Sequence, residues 1–319
     1  MTGSGSRRDV LAIGELNPDF ILSGIRAPGP TLGVEQEFAA YRLVLGSSTA
    51  ITCVLLQRLG LSTAMSACVG DDDHGRFCRQ ALVAEGVDVT LVHVRPDVAT
   101  GLTVCLSYPV DRLLLTCKGA MALDPAAVVT DALLENVRHL HVGSFFLQSG
   151  LRPGLAGLFA RARALGVTTS LDTGWDPDER WLTADLRAVL ENTSMLFPNT
   201  GEFKHLTGTV DVERGIDLLR ALGVETVVLK RGELGAVHGD ADGLVAHEGF
   251  VATAIDTTGA GDSFNAGYLA TMLRGAKIQD RLAFGNACGA LTVSAIGGTG
   301  GVTDQAQVRA FLTPATATP

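Results

Sequence analysis

A nine-residue run, DTTGAGDSF at residues 256–264, has the residue types and spacing needed to bind and transfer a phosphoryl group. Gly259 and Gly261 allow close approach of the backbone and unusual dihedral angles. The run follows the strand-like segment VATAI and precedes a helix-like segment, so we expect the N–H groups of residues 259–262 to point outward at a helix N-terminus. The partial positive charge of that end stabilises anions, especially a phosphoryl group whose charge shifts in a transition state.

Asp262 lies at the edge of this predicted anion site. A carboxylate there can accept the proton of a substrate hydroxyl while that hydroxyl attacks the γ-phosphorus of a nucleotide. Alternatively, Asp262 only caps the helix and the glycines only form a turn. The complete run, placed between a strand and a helix, favours the catalytic interpretation.

The run resembles the C-terminal signature of the ribokinase-like sugar kinases of the PfkB group, and the resemblance extends from about Asp9 to Phe311. It implies a three-layer α/β/α sandwich with a mostly parallel central sheet and a small projecting β-sheet lid. It also implies a catalytic base at Asp262. The anion hole implied by the resemblance consists of Gly259, Ala260, Gly261 and Asp262.

The segment GELNPD, at residues 14–19, follows the first predicted strand and resembles a family segment that binds sugar hydroxyls. By this resemblance Asp19 binds the acceptor, with Asn17 beside it. A carboxylate suits this role because it accepts two hydrogen bonds from a vicinal diol. The alternative is an Asn-Pro turn with a solvated Asp19.

The segment GSSTAI, at residues 46–51, occupies the place of a glycine-rich run that opens a helix in the family. Gly46 matches that run, but Ser47 replaces its second glycine and Ile51 replaces an asparagine that touches the substrate. We expect Gly46 and Ser47 at the acceptor site. The hydroxyl of Ser47 or Ser48 either contacts the acceptor or only caps the helix.

The segment PNTGE, at residues 198–202, resembles the family's PNxxE motif. Asn199 and Glu202 are three residues apart, so on a helical turn they face the same way. Magnesium prefers oxygen ligands and keeps several waters. The motif therefore predicts a magnesium site with Glu202 and Asn199, reached through water; the alternative is a capped helix start.

Further residues are assigned to the nucleotide and to an ion by resemblance alone. The strand and loop VVLKRGELG resemble the family's nucleotide site. With Asn199, the implied nucleotide residues are Lys230, Gly232, Gly235 and Asn286. Asp256 and Thr258 resemble positions that bind a monovalent cation, with potassium as the candidate ion.

The elements that must position these residues alternate between apolar strands and amphipathic helices. Predicted strands include residues 10–14, 63–69, 140–142, 168–171, 195–198 and 226–230; predicted helices include 48–59, 75–85, 155–165 and 212–222. This alternation predicts right-handed βαβ units and a mostly parallel sheet with helices on both faces.

Two stretches interrupt the alternation and predict a small projecting sheet, or lid, formed by residues 16–45 and 99–118. The second stretch reads as a β-hairpin with a turn near Pro109 to Arg112. Arg112 resembles a cover residue that reaches the substrate; the alternative is a solvated turn arginine. An open face on such a sheet favours a homodimer.

One kinase domain is predicted over residues 9–313, with the lid segments inserted in it and loose tails at residues 1–8 and 314–319. A formal charge of −9 argues against nucleic acid and anionic membranes as partners. Six scattered cysteines without a CxxC pair, and a start that lacks the apolar stretch of a signal peptide, favour a reduced, cytoplasmic protein.

The predicted activity is ATP-dependent phosphorylation of a hydroxymethyl group on a sugar or sugar-like alcohol, with ATP and Mg²⁺ required. A nucleoside kinase of the same fold is one alternative, and aromatic residues of the lid would then stack on the base. A nucleotide- or sugar-binding protein with weak catalysis is the other, because Ser47 and Ile51 depart from the family pattern.

Overall fold

The computed structural model describes residues 7–25, 30–108 and 112–313. Its main sheet is assembled from nine strands: β1 (Arg8–Ile13), β4 (Thr63–Gly70), β5 (Asp88–Arg95), β8 (Val137–Val142), β9 (Thr168–Leu171), β10 (Met195–Leu196), β11 (Thr226–Lys230), β12 (Ala236–Asp240) and β13 (Gly243–His247). Their spatial order is β13-β12-β11-β10-β9-β8-β1-β4-β5. The pairs from β5 to β11 are parallel, and β12 and β13 add an antiparallel hairpin at one edge.

Helices cover both faces of this sheet, as the alternation predicts. They are α1 (Ser48–Arg58), α2 (Asp73–Ala84), α3 (Asp131–Leu134), α4 (Arg152–Ala164), α5 (Ala184–Leu190), α6 (Thr200–Thr207), α7 (Val212–Ala221), α8 (Ala260–Met272), α9 (Ile278–Val293) and α10 (Gln305–Leu312). One buried cluster joins Leu140 of the sheet to Leu155 of α4 and Ile216 of α7. A second cluster joins Val10 to Leu269 of α8 on the opposite face.

Strand β4 illustrates why the sheet forms in this way. All eight of its residues, Thr63–Gly70, are buried. A continuous buried run is typical of a parallel strand that is covered on both faces. The carboxyl ends of β1, β8, β9, β10 and β11 share one edge of the sheet, where Glu15, Asp172 and Asn199 follow β1, β9 and β10.

A second sheet has four strands: β2 (Pro18–Ser23), β3 (Ala40–Leu45), β6 (Leu102–Ser107) and β7 (Arg112–Cys117). We call it the cover sheet; its order is β3-β2-β6-β7. The two interrupting stretches meet because β2 pairs in parallel with β6. The predicted turn at residues 109–111 lies outside the described residues, as do residues 1–6 and 314–319 of the predicted tails.

The register of the cover sheet separates two faces. Asp19 is paired with Val44 and Thr103, so these three side chains share one face. The opposite face carries apolar residues with large exposed areas, among them Tyr41 at 65%, Leu113 at 46% and Leu115 at 55%. The cover therefore has one face that carries Asp19 and an opposite face that exposes apolar side chains.

The prediction of a strand at VATAI, residues 251–255, is wrong. These residues form irregular backbone, and Val251 and Ile255 are exposed. Ile255 N donates to the Val293 carbonyl at the end of α9 instead of to a sheet neighbour. The sequence reading also missed β5 and the β12–β13 hairpin. Within the described residues, none of the helices is both long and apolar enough to cross a membrane.

Candidate active site

The predicted anion site lies at the start of α8, as its glycines indicate. Gly259 has φ +73°, and a Cβ at this position would overlap the backbone of Gly298. Only glycine meets both conditions without strain. The first helical bond runs from Ser263 N to Gly259 O at 2.8 Å, so the N–H groups of residues 260–262 precede the internal ladder of the helix.

Asp262 is the third residue of α8, and its carboxylate faces the start of α1. Ser48 Oγ donates to Asp262 Oδ1 at 2.5 Å. Burial raises the pKa of Asp262 to about 6, and the Asp172 carboxylate adds to the rise, whereas the bond from Ser48 lowers it. The result is a carboxyl group that gains and loses its proton close to neutral pH, as a general base requires.

A buried ion pair lies beside the anion site. Lys230 Nζ is 2.6 Å from Asp172 Oδ2, and Asn265 Nδ2 donates to the same oxygen at 2.7 Å. A Cβ at Gly261 would be 3.2 Å from Lys230 Nζ, so the ammonium group lies next to the first turn of α8. Burial alone would raise the pKa of Asp172, but the charge of Lys230 and the hydrogen bonds from Lys230, Asn265 and Gly174 together lower it.

Asp172 was missed by the sequence analysis. It follows β9 directly, at the carboxyl edge of a parallel sheet where ligands bind in α/β folds. Its burial is nearly complete, with 7% of its side chain exposed. An acidic residue immediately after a predicted buried strand was the available signal.

Asn199 and Glu202 form a reciprocal cap at the start of α6. Asn199 Oδ1 accepts from Glu202 N at 2.9 Å, and Glu202 Oε2 accepts from Asn199 N at 2.9 Å. Burial and the Asp172 carboxylate raise the pKa of Glu202 to about 7. Asn199 and Glu202 therefore cap the start of α6, as the alternative interpretation predicts. They also lie beside Lys230, because an isolated parallel β-bridge joins Asn199 to Lys230.

A cavity of about 430 Å³ opens between α8, α9 and the loop that follows β11. All five residues predicted to bind a nucleotide line it: Asn199, Lys230, Gly232, Gly235 and Asn286. Ala260 and Gly261 of the predicted anion site also line it. Phe250 and Val293 add apolar walls that sequence reasoning did not find.

Asn286 is held at the far end of this cavity. Its Nδ2 donates to the Glu248 carbonyl at 3.1 Å. The contact links α9 to the segment after β13. The side chain is buried, with 8% exposed, so the amide is fixed and does not move freely in solvent.

The acceptor side is formed by β2 and the turn before it. Asn17 Nδ2 donates to the Pro18 carbonyl at 3.1 Å and lies beside Thr103 Oγ1 at 3.3 Å. A Cβ at Gly46 would overlap the Asp19 carboxylate, so the glycine leaves room for that group. Burial raises the pKa of Asp19 to about 7, against the opposing effect of the Arg112 guanidinium.

Ser47 lies at the acceptor side, but its hydroxyl is engaged within the protein. It has φ +70° and caps α1. Its Oγ donates to the Glu15 carbonyl at 2.5 Å and accepts from Ala50 N at 3.0 Å. The Ser47 hydroxyl is therefore engaged within the protein and does not offer the predicted contact to an acceptor. Ser48 is the serine whose hydroxyl faces Asp262.

Ile51 is buried and contributes no polar contact. A Cβ at Gly298 would overlap its side chain, and Gly298 in turn lies against Gly259. Ile51 therefore packs behind the anion site, where the family pattern has a substrate-binding amide.

Arg112 and Asp256 tie the anion site to its surroundings. Arg112 Nη1 donates to Thr258 Oγ1 at 2.6 Å, which joins the cover sheet to the loop before α8. Asp256 accepts from Thr258 N and from Gly297 N, each at 2.9 Å. Arg112 also lines the cavity, so its position agrees better with a cover residue than with a solvated turn arginine.

Glu15 lies in the turn between β1 and β2, and the sequence analysis assigned no role to it. Its carboxylate is buried and accepts from Thr49 Oγ1 at 2.7 Å and from Gln148 Nε2 at 3.3 Å. Burial raises its pKa. It fixes the start of α1 next to the reacting groups.

An anion site at a helix N-terminus, a carboxylate beside it and a nucleotide-sized cavity define a phosphotransferase with a ribokinase-like fold. The family model of pfkB family carbohydrate kinases matches residues 7–305. The chain belongs to the pfkB family of carbohydrate kinases.

Curated relatives extend this result. An ATP-dependent ribose-1-phosphate kinase from Halopiger xanaduensis is 32% identical over 313 residues, which cover 95% of this chain and 97% of the relative. A nucleoside kinase from Methanothermobacter thermautotrophicus is 26% identical over 85% of each chain. The relatives are thus kinases of both sugars and nucleosides.

Solved structures agree with the fold. A provisionally named ribokinase II from E. coli, in complex with ATP and Mg²⁺, superimposes with a TM-score of 0.85 at 27% identity and covers 96% of this chain and 99% of its own. Arabidopsis thaliana ribokinase complexed with ribose and ATP gives a TM-score of 0.84 at 20% identity and covers 97% and 99%. The three-layer sandwich with a projecting sheet is confirmed.

Proposed function

We propose that this kinase transfers the γ-phosphate of ATP to a hydroxymethyl group of a sugar or sugar-like acceptor. Asp262 takes the proton of the acceptor hydroxyl, and the N–H groups of residues 259–262 stabilise the transferring phosphoryl group. Asp19 and Asn17 bind acceptor hydroxyls. The 32% identity to a ribose-1-phosphate kinase makes a sugar phosphate one acceptor to be tested.

One observation carries this proposal. The cavity ends at Ala260 and Gly261, and Asp262, the next residue, carries the carboxylate that the acceptor needs. A nucleotide in the cavity would place its terminal phosphate at the helix N-terminus, where Lys230 Nζ adds a positive charge. Asp19, on the cover sheet, lies close enough to Asp262 for that carboxylate to be among the groups that raise the pKa of Asp19.

Magnesium would neutralise phosphate charge when bound with the nucleotide. Among the described residues there is no group of three or more His, Cys, Asp or Glu side chains that could hold a metal ion alone. Mg²⁺ prefers oxygen ligands and keeps several of its waters. Phosphate oxygens and water would therefore be its direct ligands, and Glu202 and Asn199 would contact it through water. Glu202 Oε1 already accepts from Asn199 Nδ2 at 2.7 Å, which favours the water-mediated contact.

A monovalent cation, with potassium as the candidate, is proposed behind the anion site at Asp256 and Thr258. The Asp256 carboxylate already joins the loops at Thr258 and Gly297, so a cation there would stiffen the same loops. Turnover in potassium chloride should exceed turnover in choline chloride at equal ionic strength. Equal rates in both salts would remove the ion from the proposal.

A homodimer through the apolar face of the cover sheet is proposed because that face exposes Tyr41, Leu43, Leu113 and Leu115 together. Light scattering after gel filtration should give twice the chain mass of 33.2 kDa. Leu115→Asp should give the single-chain mass. A wild-type protein of 33.2 kDa would contradict the proposal.

A cytoplasmic location is proposed because all six cysteines are free, and five of them are buried. Cell fractionation with an antibody to the protein would test it. Recovery in an extracytoplasmic fraction would contradict it.

The activity is tested by ADP release with a panel of sugars, sugar phosphates and nucleosides in the presence of Mg²⁺. We expect acceptor-dependent release with a sugar or sugar phosphate, and its loss in Asp262→Asn. The cover aromatics Phe20 and Tyr41 pair at 5.3 Å on the face opposite Asp19, so they do not offer a base-stacking surface above the acceptor. Preferred turnover of nucleosides would therefore overturn the sugar assignment, and nucleotide binding without turnover would overturn the kinase assignment.

A further inference from the structure

Ser48 is the first residue of α1, and its hydroxyl contacts the proposed base. Ser48 Oγ donates to Asp262 Oδ1 at 2.5 Å, and the two residues are 214 positions apart in sequence. Neither the motif spacing nor the resemblance predicts this contact. It joins the helix of the acceptor side to the helix of the phosphate side.

The position of Ser48 is fixed by its neighbours. Ser47 Oγ donates to the Glu15 carbonyl at 2.5 Å, and Thr49 Oγ1 donates to Glu15 Oε2 at 2.7 Å. A Cβ at Gly143 would be 2.8 Å from Ser48 Oγ, so the glycine provides the space that the serine occupies. Ser48 therefore lies between two residues that buried contacts with Glu15 hold in place, which sets the position of its backbone next to Asp262.

A general base needs one oxygen directed at the hydroxyl that it deprotonates. With Ser48 on Oδ1, rotation of the Asp262 carboxylate is restricted and Oδ2 remains for the acceptor. We propose that Ser48 is a positioning residue, which holds the Asp262 carboxylate in the orientation that receives the acceptor proton. This inference rests on the proposed function, because it assigns a role within the same reaction.

Other charged groups face Asp262 from the surrounding elements: Glu15 after β1, Asp19 on β2, Arg112 on β7, Asp172 after β9, Glu202 on α6 and Lys230 on β11. All of them remain in a Ser48 variant. A change at Ser48 therefore isolates the effect of one hydrogen bond.

Ser48→Ala removes the donor, and Ser48→Thr keeps it. We expect Ser48→Ala to lower kcat about tenfold, to leave the KM for ATP unchanged, and to move the acid limb of the pH profile of kcat upward by about one unit. Ser48→Thr should retain most of the wild-type kcat and keep the acid limb of the pH profile close to its wild-type position. Wild-type kcat and an unmoved acid limb in Ser48→Ala, or no recovery in Ser48→Thr, would overturn the inference.

A second measurement separates this inference from the proposed function. Protein labelled with ¹³C at the aspartate carboxyl carbons shows the titration of Asp262, whose signal is the one lost in Asp262→Asn. Its midpoint should rise in Ser48→Ala, or in Ser48→Gly if the alanine variant does not fold, even when no acceptor is phosphorylated. An unchanged midpoint would overturn the inference, whereas absent turnover with a shifted midpoint would count only against the proposed function.

Discussion

The phosphate side and the acceptor side of this kinase are constructed differently. The phosphate side consists of a short continuous run at the start of α8, residues 256–264, backed by Lys230 at the end of a core strand. The acceptor side is assembled from distant segments, because Asp19 meets Thr103 only through the pairing of β2 with β6. The first side is therefore locally encoded, whereas the second depends on tertiary register, which is where substrate choice can diverge.

The comparison predicts that the largest loss of turnover comes from the phosphate side. Asp262→Asn removes the proposed base but keeps the size of the side chain. We expect kcat to fall about 10²- to 10⁴-fold, with nucleotide affinity retained. ADP release and nucleotide titration check this, and near-normal kcat in a folded variant would break the comparison.

The buried ion pair should be the largest single determinant of stability near the site. Lys230→Met leaves Asp172 buried without its cation, which we expect to cost about 3–5 kcal/mol in the free energy of unfolding. Arg76→Met is a matched control, because the Arg76–Asp73 pair has side chains that are 54% and 96% exposed. The control should lose much less stability than Lys230→Met, because solvent screens this exposed pair.

Urea unfolding followed by circular dichroism measures both variants. Equal losses in Lys230→Met and Arg76→Met would show that the phosphate side is not stabilised by its buried pair.

The acceptor side should respond mainly through acceptor use. Asp19→Asn keeps the shape of the side chain but removes its charge, and we expect kcat/KM for the acceptor to fall about 10- to 100-fold. The Kd for ATP should stay unchanged, because Asp19 does not line the nucleotide cavity. A comparable loss of ATP affinity would show that the two sides are not separable.

The smallest effect is the dependence of wild-type turnover on pH. Burial raises the pKa of Asp262 to about 6, and the base works only when deprotonated. Turnover should therefore fall as pH decreases through about 6, to roughly half its plateau at that pH. A profile of kcat from pH 5 to 8 tests this; a plateau that continues to pH 5 would contradict the assignment of the base.

Much of the fold follows from the sequence, since buried strands and amphipathic helices alternate along most of the chain. The failures have physical causes. VATAI has the composition of a strand, but no strand within the described part of the chain pairs with it, and Ile255 N donates to the Val293 carbonyl instead. The antiparallel β12–β13 hairpin was missed because the βαβ pattern gives no reason to expect it.

The candidate site was predictable where the motif is local. The glycines of the predicted anion site and Asp262 lie at the start of α8, as their order indicates, and all five residues predicted to bind a nucleotide line one cavity. Asp172 and Ser48 were harder to assign because their roles arise from partners about 60 and 210 positions away, Lys230 and Asp262. Ser47 was predicted at the acceptor site because the sequence does not show which of the two adjacent hydroxyls faces Asp262.

The contact between Ile51, Gly298 and Gly259 has a consequence for how this enzyme can evolve. Ile51 packs against Gly298, and Gly298 packs against Gly259. A larger side chain at position 51 of α1 would therefore displace Gly298 and, through it, the backbone of the anion site. Drift at position 51 toward larger side chains is thereby restricted, even though that side chain touches no reacting atom. We therefore expect new acceptors to be reached more easily through changes on the strands of the cover, except at Arg112, which contacts the anion-site loop.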